Sequence, residues 1–325
     1  MSDTGLEIFF AVLLSFLLTA VAGRLILPIL KRHHAAQPIL EIGPAWHLAK
    51  RGTPTLGGLF FIVGVGITLL CYAALGVGDG GSICLVLSFA LLSGAVGLLD
   101  DIRKLTKREN KGLSAAQKYF LQLLVSALFL LLARWRGILD TAIYLPFFKN
   151  PLELGNLYYP LALLYLTGLE NALNLTDGLD GLLGTTAAVT GAFFLLCGVL
   201  GGASLLLFTG AALLGGMLGF LLFNHHPAKV FMGDTGSLFL GALVAGVGLL
   251  GKIPAHTLLA GGVFVLEAVS VILQVCYFKI TGGKRLFLMA PYHHTLEKRG
   301  LSENAVVLLF ALATLLFGAI ALAGL

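Results

Sequence analysis

Charge is what this chain has least of. Lys, Arg, Asp and Glu make up 11% of its 325 residues, against about 25% in an ordinary soluble domain, so a water-soluble globule is excluded. Cysteine is scarce as well: Cys71, Cys84, Cys197 and Cys276 lie in or beside apolar runs with no CxxC spacing. That leaves neither a zinc site nor a disulfide framework, and predicts small buried apolar side chains. No GxxxxGK[ST] loop is present, which argues against nucleotide hydrolysis by a P-loop. The first apolar run has no positive stretch ahead of it and no small-residue cleavage site after it, so it reads as a retained span. No soluble domain is expected at either end, and residues 1–325 read as a single integral-membrane domain. The formal charge of +5 is set by membrane placement, and no nucleic-acid partner is expected.

What is abundant is apolar: 58% hydrophobic residues, 42 glycines and a mean hydropathy of +0.96. Long Leu/Ala/Gly/Val/Phe runs in place of short alternating strands predict an all-α, polytopic helical bundle. Ten apolar segments are read, at about 6–30, 56–76, 83–99, 116–133, 157–173, 182–200, 203–223, 237–251, 255–280 and 305–325. Counted with the adjoining span ends, the odd-numbered loops hold 16 of the 21 basic residues. The even loops hold only Arg134, Arg136, Lys149 and Lys252. By the positive-inside rule the odd loops are cytoplasmic, and ten spans then leave both termini outside. The longest even loop, 134–156, reads as a small external cap.

All the polar clusters fall in the odd loops, which puts a candidate active site on the cytoplasmic face. The stretch Asn171-Ala-Leu-Asn-Leu-Thr-Asp-Gly-Leu-Asp-Gly is the most polar of them. Asp177 and Asp180 are three apart, so a helical turn would set both on one face, where a divalent metal or Lys/Arg pair is needed between them. Asp100 and Asp101 close the third span, where acids oppose the helix dipole by about 0.3–1 kcal/mol each unless a cation offsets them. Lys50 and Thr55, around Pro54 at a span entrance, form either an ordinary helix start or an anion site. Asp234, in Phe231-Met-Gly-Asp-Thr-Gly-Ser, is either an N-cap or a hard-oxygen ligand suited to Mg²⁺. His293 and His294 lack the HExxH spacing and read as hydrogen-bond donors to an anion. Glu267 and Gln274 sit two turns apart on one face of the ninth span. Glu267 is expected to be buried against a partner, and Gln274, nearer the cytoplasm, to reach a ligand. Carboxylates for Mg²⁺ beside cations for phosphate oxygens are the equipment of phosphoryl transfer.

Taken together, the Asn171–Gly181 and Phe231–Ser237 motifs and Pro291-Tyr-His-His closely resemble the polyprenyl-phosphate N-acetylhexosamine-1-phosphate transferases. The likeness is to the bacterial phospho-N-acetylmuramoyl-pentapeptide transferase branch, runs from Lys50 to Glu297 and includes the ten-span layout. Thr295 stands where that family has a third histidine. The resemblance implies transfer of phospho-MurNAc-pentapeptide from its UDP carrier to undecaprenyl phosphate, giving lipid I and UMP with Mg²⁺. It implies that Asp234 binds the metal and that Asp100 and Asp101 serve the lipid phosphate and catalysis. Lys50, Thr55, Lys104, Asn174, Asp177, Asp180, Asn224, Phe231, Gln274, His293 and His294 would line the nucleotide-sugar pocket. The expected setting is the bacterial plasma membrane, with the bilayer itself as a partner and a homodimer as a candidate assembly. Two other readings compete: a transferase using UDP-GlcNAc, and a cation-coupled transporter with intramembrane carboxylates.

Overall fold

Lipid offers the backbone no hydrogen-bond partner, so apolar runs of this length satisfy their own amides as helices. A computed structural model describes residues 3–33, 50, 52–107 and 112–325; Arg51, Arg108 and Lys111, counted among the basic loop residues, lie outside them. The long helices are α1 (Asp3–Arg32), α2 (Gly58–Ala74), α3 (Gly80–Lys107), α4 (Ala115–Trp135) and α5 (Tyr158–Thr176), then α6 (Leu182–Gly201), α7 (Ser204–Asn224) and α8 (Gly233–Leu250). They continue with α9 (Pro254–Ala260), α10 (Gly262–Ile280), α11 (Tyr292–Lys298) and α12 (Glu303–Ala323). Eight of these, α1, α3, α4, α6, α7, α8, α10 and α12, are long and apolar enough to cross a membrane. The chain is a multi-pass helical membrane protein.

Each apolar segment is helical, but the expected unbroken ninth one is not a single helix. It divides at Gly261 into short α9 and long α10, where two successive glycines weaken helix continuation. The 134–156 loop carries the only strands among the described residues, Ala142–Ile143 paired antiparallel with Leu152–Glu153. The Phe147 amide ties this loop to the Gly324 carbonyl at the end of α12, at 3.1 Å.

At the centre stands α8, 83% of whose apolar window is buried, whereas α1, α4, α10 and α12 bury only 22–28% and face outward. A helix apolar all round belongs inside the bundle. Small residues let its neighbours close in: a Cβ on Gly97 of α3 would lie 2.2 Å from the Asp234 carbonyl oxygen, and one on Gly241 would lie 2.5 Å from the Glu170 Cα of α5. The cysteines are a correction. Only Cys197 is buried, while Cys71, Cys84 and Cys276 are exposed, because a thiol facing lipid loses nothing by staying on the outside.

Candidate active site

Polar helix ends gather around the N-terminus of α8. The third span was expected to end near Leu99, but α3 runs on to Lys107, so Asp100 and Asp101 lie inside the helix and not at its dipole-opposed end. Being adjacent, they point in different directions. Asp100 pairs with Lys104 one turn on, Oδ2 to Nζ 2.7 Å, and its Oδ1 accepts the Leu113 amide at 2.6 Å. Asp101, fully buried, turns to α8 and accepts from the Asp234 amide at 3.2 Å, the Thr235 amide at 2.9 Å and the Thr235 hydroxyl at 2.7 Å. It thereby caps α8 from a neighbouring helix, satisfying amides that have no partner within α8.

Asp234 is therefore not the N-cap. Met232 holds that position, and Asp234 lies in the first turn, where a carboxylate suits the helix dipole. Its Oδ2 accepts from both Lys104 Nζ and Lys118 Nζ at 2.9 Å, and its Oδ1 from Asn174 Nδ2 at 2.8 Å. Asn174 in turn accepts Lys118 Nζ at 3.1 Å and donates to Ser237 Oγ at 2.8 Å. The preceding Gly233 has φ +78°, and a Cβ there would sit 2.7 Å from Thr55 Oγ1 and 2.8 Å from Asp101 Oδ2. Only glycine fits. One carboxylate oxygen from each of Asp100, Asp101 and Asp234 lies within 4.8 Å of the others. Hard anionic oxygens at this spacing fit Mg²⁺ rather than a soft metal.

Beside this centre opens a cavity of about 250 Å³ lined by Lys50, Thr55, Asp177, Asp180, Asn224, Phe231 and Asp234, with Gly178, Leu179 and Gly233. The helical turn expected to bring Asp177 and Asp180 onto one face does not form. Helix α5 ends at Thr176 with Asp177 as its C-cap, and the two acids diverge. Asp177 takes the Gly233 amide, and burial, followed by the Asp234 and Asp101 carboxylates, pushes its pKa up to about 8. Asp180, buried, accepts Lys50 Nζ at 2.8 Å, the Ala228 amide at 3.0 Å and His226 Nδ1 at 3.0 Å. Asn224 pins the wall, accepting the Gly181 amide at 3.1 Å and donating to the Val230 carbonyl at 2.9 Å.

The remaining expected site residues stand outside that cavity. Lys104 and Asn174 are behind it, on Asp234. His293 is fully buried with Glu267, Nδ1 to Oε2 3.0 Å, and its amide donates to Glu267 Oε1 at 3.1 Å. This is the partner expected for Glu267. His293 Nε2 has no hydrogen-bond partner among the described residues, and a Cβ on Gly178 would lie 2.2 Å from it. His293 is thus aimed at the turn that carries Asp177. His294 pairs with Glu297 at 2.8 Å. Gln274 binds protein: its Oε1 accepts the Leu286 and Phe287 amides at 3.0 and 2.8 Å, and its Nε2 donates to the Phe287 carbonyl at 3.3 Å. Thr295 is buried and exchanges hydrogen bonds with the Met289 backbone, 3.1 Å from its amide and 2.5 Å to its carbonyl.

Sequence reasoning missed Lys118, Thr235, Ser237 and Glu303 as site residues. Glu303 Oε2 accepts Lys50 Nζ at 2.7 Å and the Asp180 amide at 3.3 Å. Just after Ser302 it sits where acids commonly start helices, so nothing marked it. Lys118 carried a weak signal as a cation one turn beyond Ser114, the cap of α4.

The comparisons agree with one another. The profile of glycosyl transferase family 4 matches residues 82–252. A phospho-N-acetylmuramoyl-pentapeptide-transferase of Clostridium perfringens (strain SM101 / Type A) is 43% identical over 321 residues, 98% of this chain and 97% of that protein. One from Oceanobacillus iheyensis is 42% identical over 319 residues, again 98% and 97%. A third, from Clostridium kluyveri, is 39% identical over 311 residues, 95% and 96%. With half of its length matched by the profile and nearly all of it aligned to these relatives, the chain belongs to glycosyl transferase family 4, in its phospho-N-acetylmuramoyl-pentapeptide-transferase branch.

Proposed function

We propose that this chain transfers phospho-MurNAc-pentapeptide from UDP-MurNAc-pentapeptide to undecaprenyl phosphate, giving lipid I and UMP. The observation that carries this reading is the meeting of Asp100, Asp101, Lys104 and Lys118 on Asp234, which itself lines a polar cavity. Ten spans, both termini outside, a bacterial plasma membrane and a cytoplasmic site complete the reading; the one-sided distribution of basic residues supports it. A transporter is disfavoured, since Asp100, Asp101, Asp177, Asp180 and Asp234 gather at one end of the bundle. Pro291-Tyr-His-His favours the muramoyl donor over UDP-GlcNAc.

Both substrates are anions, so the difficulty is bringing them together. Asp234, with Asp100 beside it, would hold Mg²⁺, which would supply the charge neutralisation that the two anionic substrates need. Lys50, Asp180, Asn224 and Phe231 line the cavity that takes the nucleotide. A phosphate oxygen of the lipid attacks the β-phosphorus, the bond from that phosphorus to the bridging oxygen breaks, and the electron pair leaves with UMP. The lipid phosphate has a second pKa near 6, by analogy with phosphate monoesters, so it needs little activation, and the direct route avoids adding another anion as nucleophile. Lys104 and Lys118, both donating to Asp234, are the cations placed to offset charge that develops on the phosphoryl oxygens near it. Asp101, with both oxygens engaged by α8, positions Asp234. An apolar cavity of about 590 Å³, walled by Tyr165 and Leu169 of α5, Leu258 of α9 and Val265 and Val269 of α10, suits a prenyl chain. The test is UMP release from UDP-MurNAc-pentapeptide in detergent, which requires both Mg²⁺ and polyprenyl phosphate. Release without the lipid, or none with it, sinks the reading.

A further inference from the structure

Deeper in the bundle than Asp234 lies a second polar cluster to which the transfer chemistry assigns no role. Helices α4 and α5 are joined by two rungs of hydrogen bonds. The near rung is Lys118 Nζ to Asn174 Oδ1 at 3.1 Å, and both side chains also hold Asp234. The far rung is Asn171 Nδ2 to Gln122 Oε1 at 3.0 Å. Gln122 is four residues beyond Lys118, and Asn171 three before Asn174, so each rung occupies the same faces one turn apart.

Beside the far rung is Glu170, fully buried. Its Oε1 accepts Ser93 Oγ of α3 at 3.0 Å, and Ser93 lies two turns before Asp100 and Asp101. Its Oε2 and the Gln122 Nε2 are both buried without a hydrogen-bond partner among the described residues, and the two groups are close enough to interact. The Glu170 backbone abuts Gly241 of α8. One cluster therefore ties together all four helices that carry Asp100, Asp101, Lys118, Asn174 and Asp234.

A carboxyl and two carboxamides in a lipid-embedded interior are costly, and leucines would pack the same space without that cost. What directional bonds add is register: apolar helix contacts allow sliding and rotation, whereas the far rung allows one offset of α4 against α5. We propose that Gln122, Glu170 and Ser93 are positioning residues. They fix the offset at which Lys118 and Asn174 both reach Asp234, and touch no substrate themselves. This rests on the reading of the Asp234 centre as the seat of transfer.

The test is a double-mutant cycle on polyprenyl-phosphate-dependent UMP release by the full chain. Gln122→Met should lower kcat about tenfold while leaving KM for the nucleotide sugar within about twofold, because the Lys50, Asp180 and Phe231 wall is untouched. Lys118→Met should lower kcat further, and adding Gln122→Met to it should cost clearly less than the roughly tenfold it costs alone, since one of the two side chains that Gln122 positions is already gone. Gln122→Glu, which keeps a side-chain oxygen to accept from Asn171, should retain turnover within about threefold of the parent. Should Gln122→Met not fold, Ser93→Ala enters the same cycle. Losses that multiply in full, a change confined to KM, or a Gln122→Glu as impaired as Gln122→Met would overturn the proposal. If Asp234→Asn keeps full turnover, the functional reading fails and the proposal with it. If Asp234→Asn is inactive and the losses multiply, only the proposal fails.

Discussion

At the scale of single residues the centre is a competition for Asp234 Oδ2, which two ammonium groups share at 2.9 Å. A hard dication at that oxygen needs a full negative charge, so Asp234→Asn should lower turnover by at least about a hundredfold, some 2.7 kcal/mol in barrier, at every Mg²⁺ concentration. The fold should persist, because Asp101 and not Asp234 caps α8. Near-normal turnover at low Mg²⁺ would place the metal elsewhere. Asp177 gives a second prediction. Its carboxyl, pushed up to about 8 by burial and the Asp234 and Asp101 charges, ionises near 3.9 in an unfolded chain. Between those values the folded chain keeps a proton that the unfolded chain has lost, so stability falls as pH rises and levels off above about 8. In Mg²⁺-free detergent, Tm should therefore drop from about pH 5 to about pH 8, and Asp177→Asn should flatten that slope. Identical slopes would show that Asp177 is ionised throughout. The aspartates were legible in the sequence because carboxylates are rare in so apolar a chain. Their partners were not: Lys118 and Glu303 look like ordinary surface residues until the helices bring them within 3 Å of Asp234 and Lys50.

Helices and their junctions are the next scale, and here hydropathy recovered nearly every element while misplacing the ends that matter. It ended α3 at Leu99 because Asp100 closes the apolar run, yet the backbone continues to Lys107, carrying Asp100 and Lys104 on one face. It read Asp177 and Asp180 as a helical pair, whereas Gly178 and Gly181 open a turn that sends them to different partners. The break at Gly261 was equally hidden, since it interrupts neither hydropathy nor charge. Close approach of α3 to α8 is what delivers Asp101 to its amides, and Gly97 permits it. A methyl at Gly97 would meet the Asp234 carbonyl oxygen and carbon at 2.2 and 2.4 Å and the Thr235 nitrogen at 2.7 Å, all backbone atoms that cannot turn aside. Gly97→Ala should therefore push α3 off α8, cost about 1–3 kcal/mol of stability and abolish transfer by uncapping α8. Gly66→Ala is the control, with nothing nearer than Leu87 Cδ1 at 3.9 Å. Equal melting temperatures and rates for the two variants would remove Gly97 from the account.

Over the whole molecule the two ends of the bundle differ in chemistry. One end holds the carboxylates, Lys50, Lys104 and Lys118 in contact with one another. The opposite end shows isolated contacts, Arg136 with the Gly81 carbonyl at 2.9 Å and Lys252 with Asp140 at 3.2 Å. A nucleotide sugar is met in the cytoplasm and a prenyl chain stays in the bilayer, so the charged end must face inward if the proposed reaction is right, with the 134–156 loop outward. Lys284 lies on the loop between α10 and α11, and Lys149 on the loop between α4 and α5. Cysteine scanning reads the orientation only against a background without native thiols, because Cys71, Cys84 and Cys276 are exposed. In that background a cysteine at position 149 should react with impermeant reagent on intact cells. One at position 284 should react only after the membrane is opened. Labelling of position 284 from outside would invert the molecule, put the Asp234 centre on the side without nucleotide sugars, and end the proposed function together with the topology.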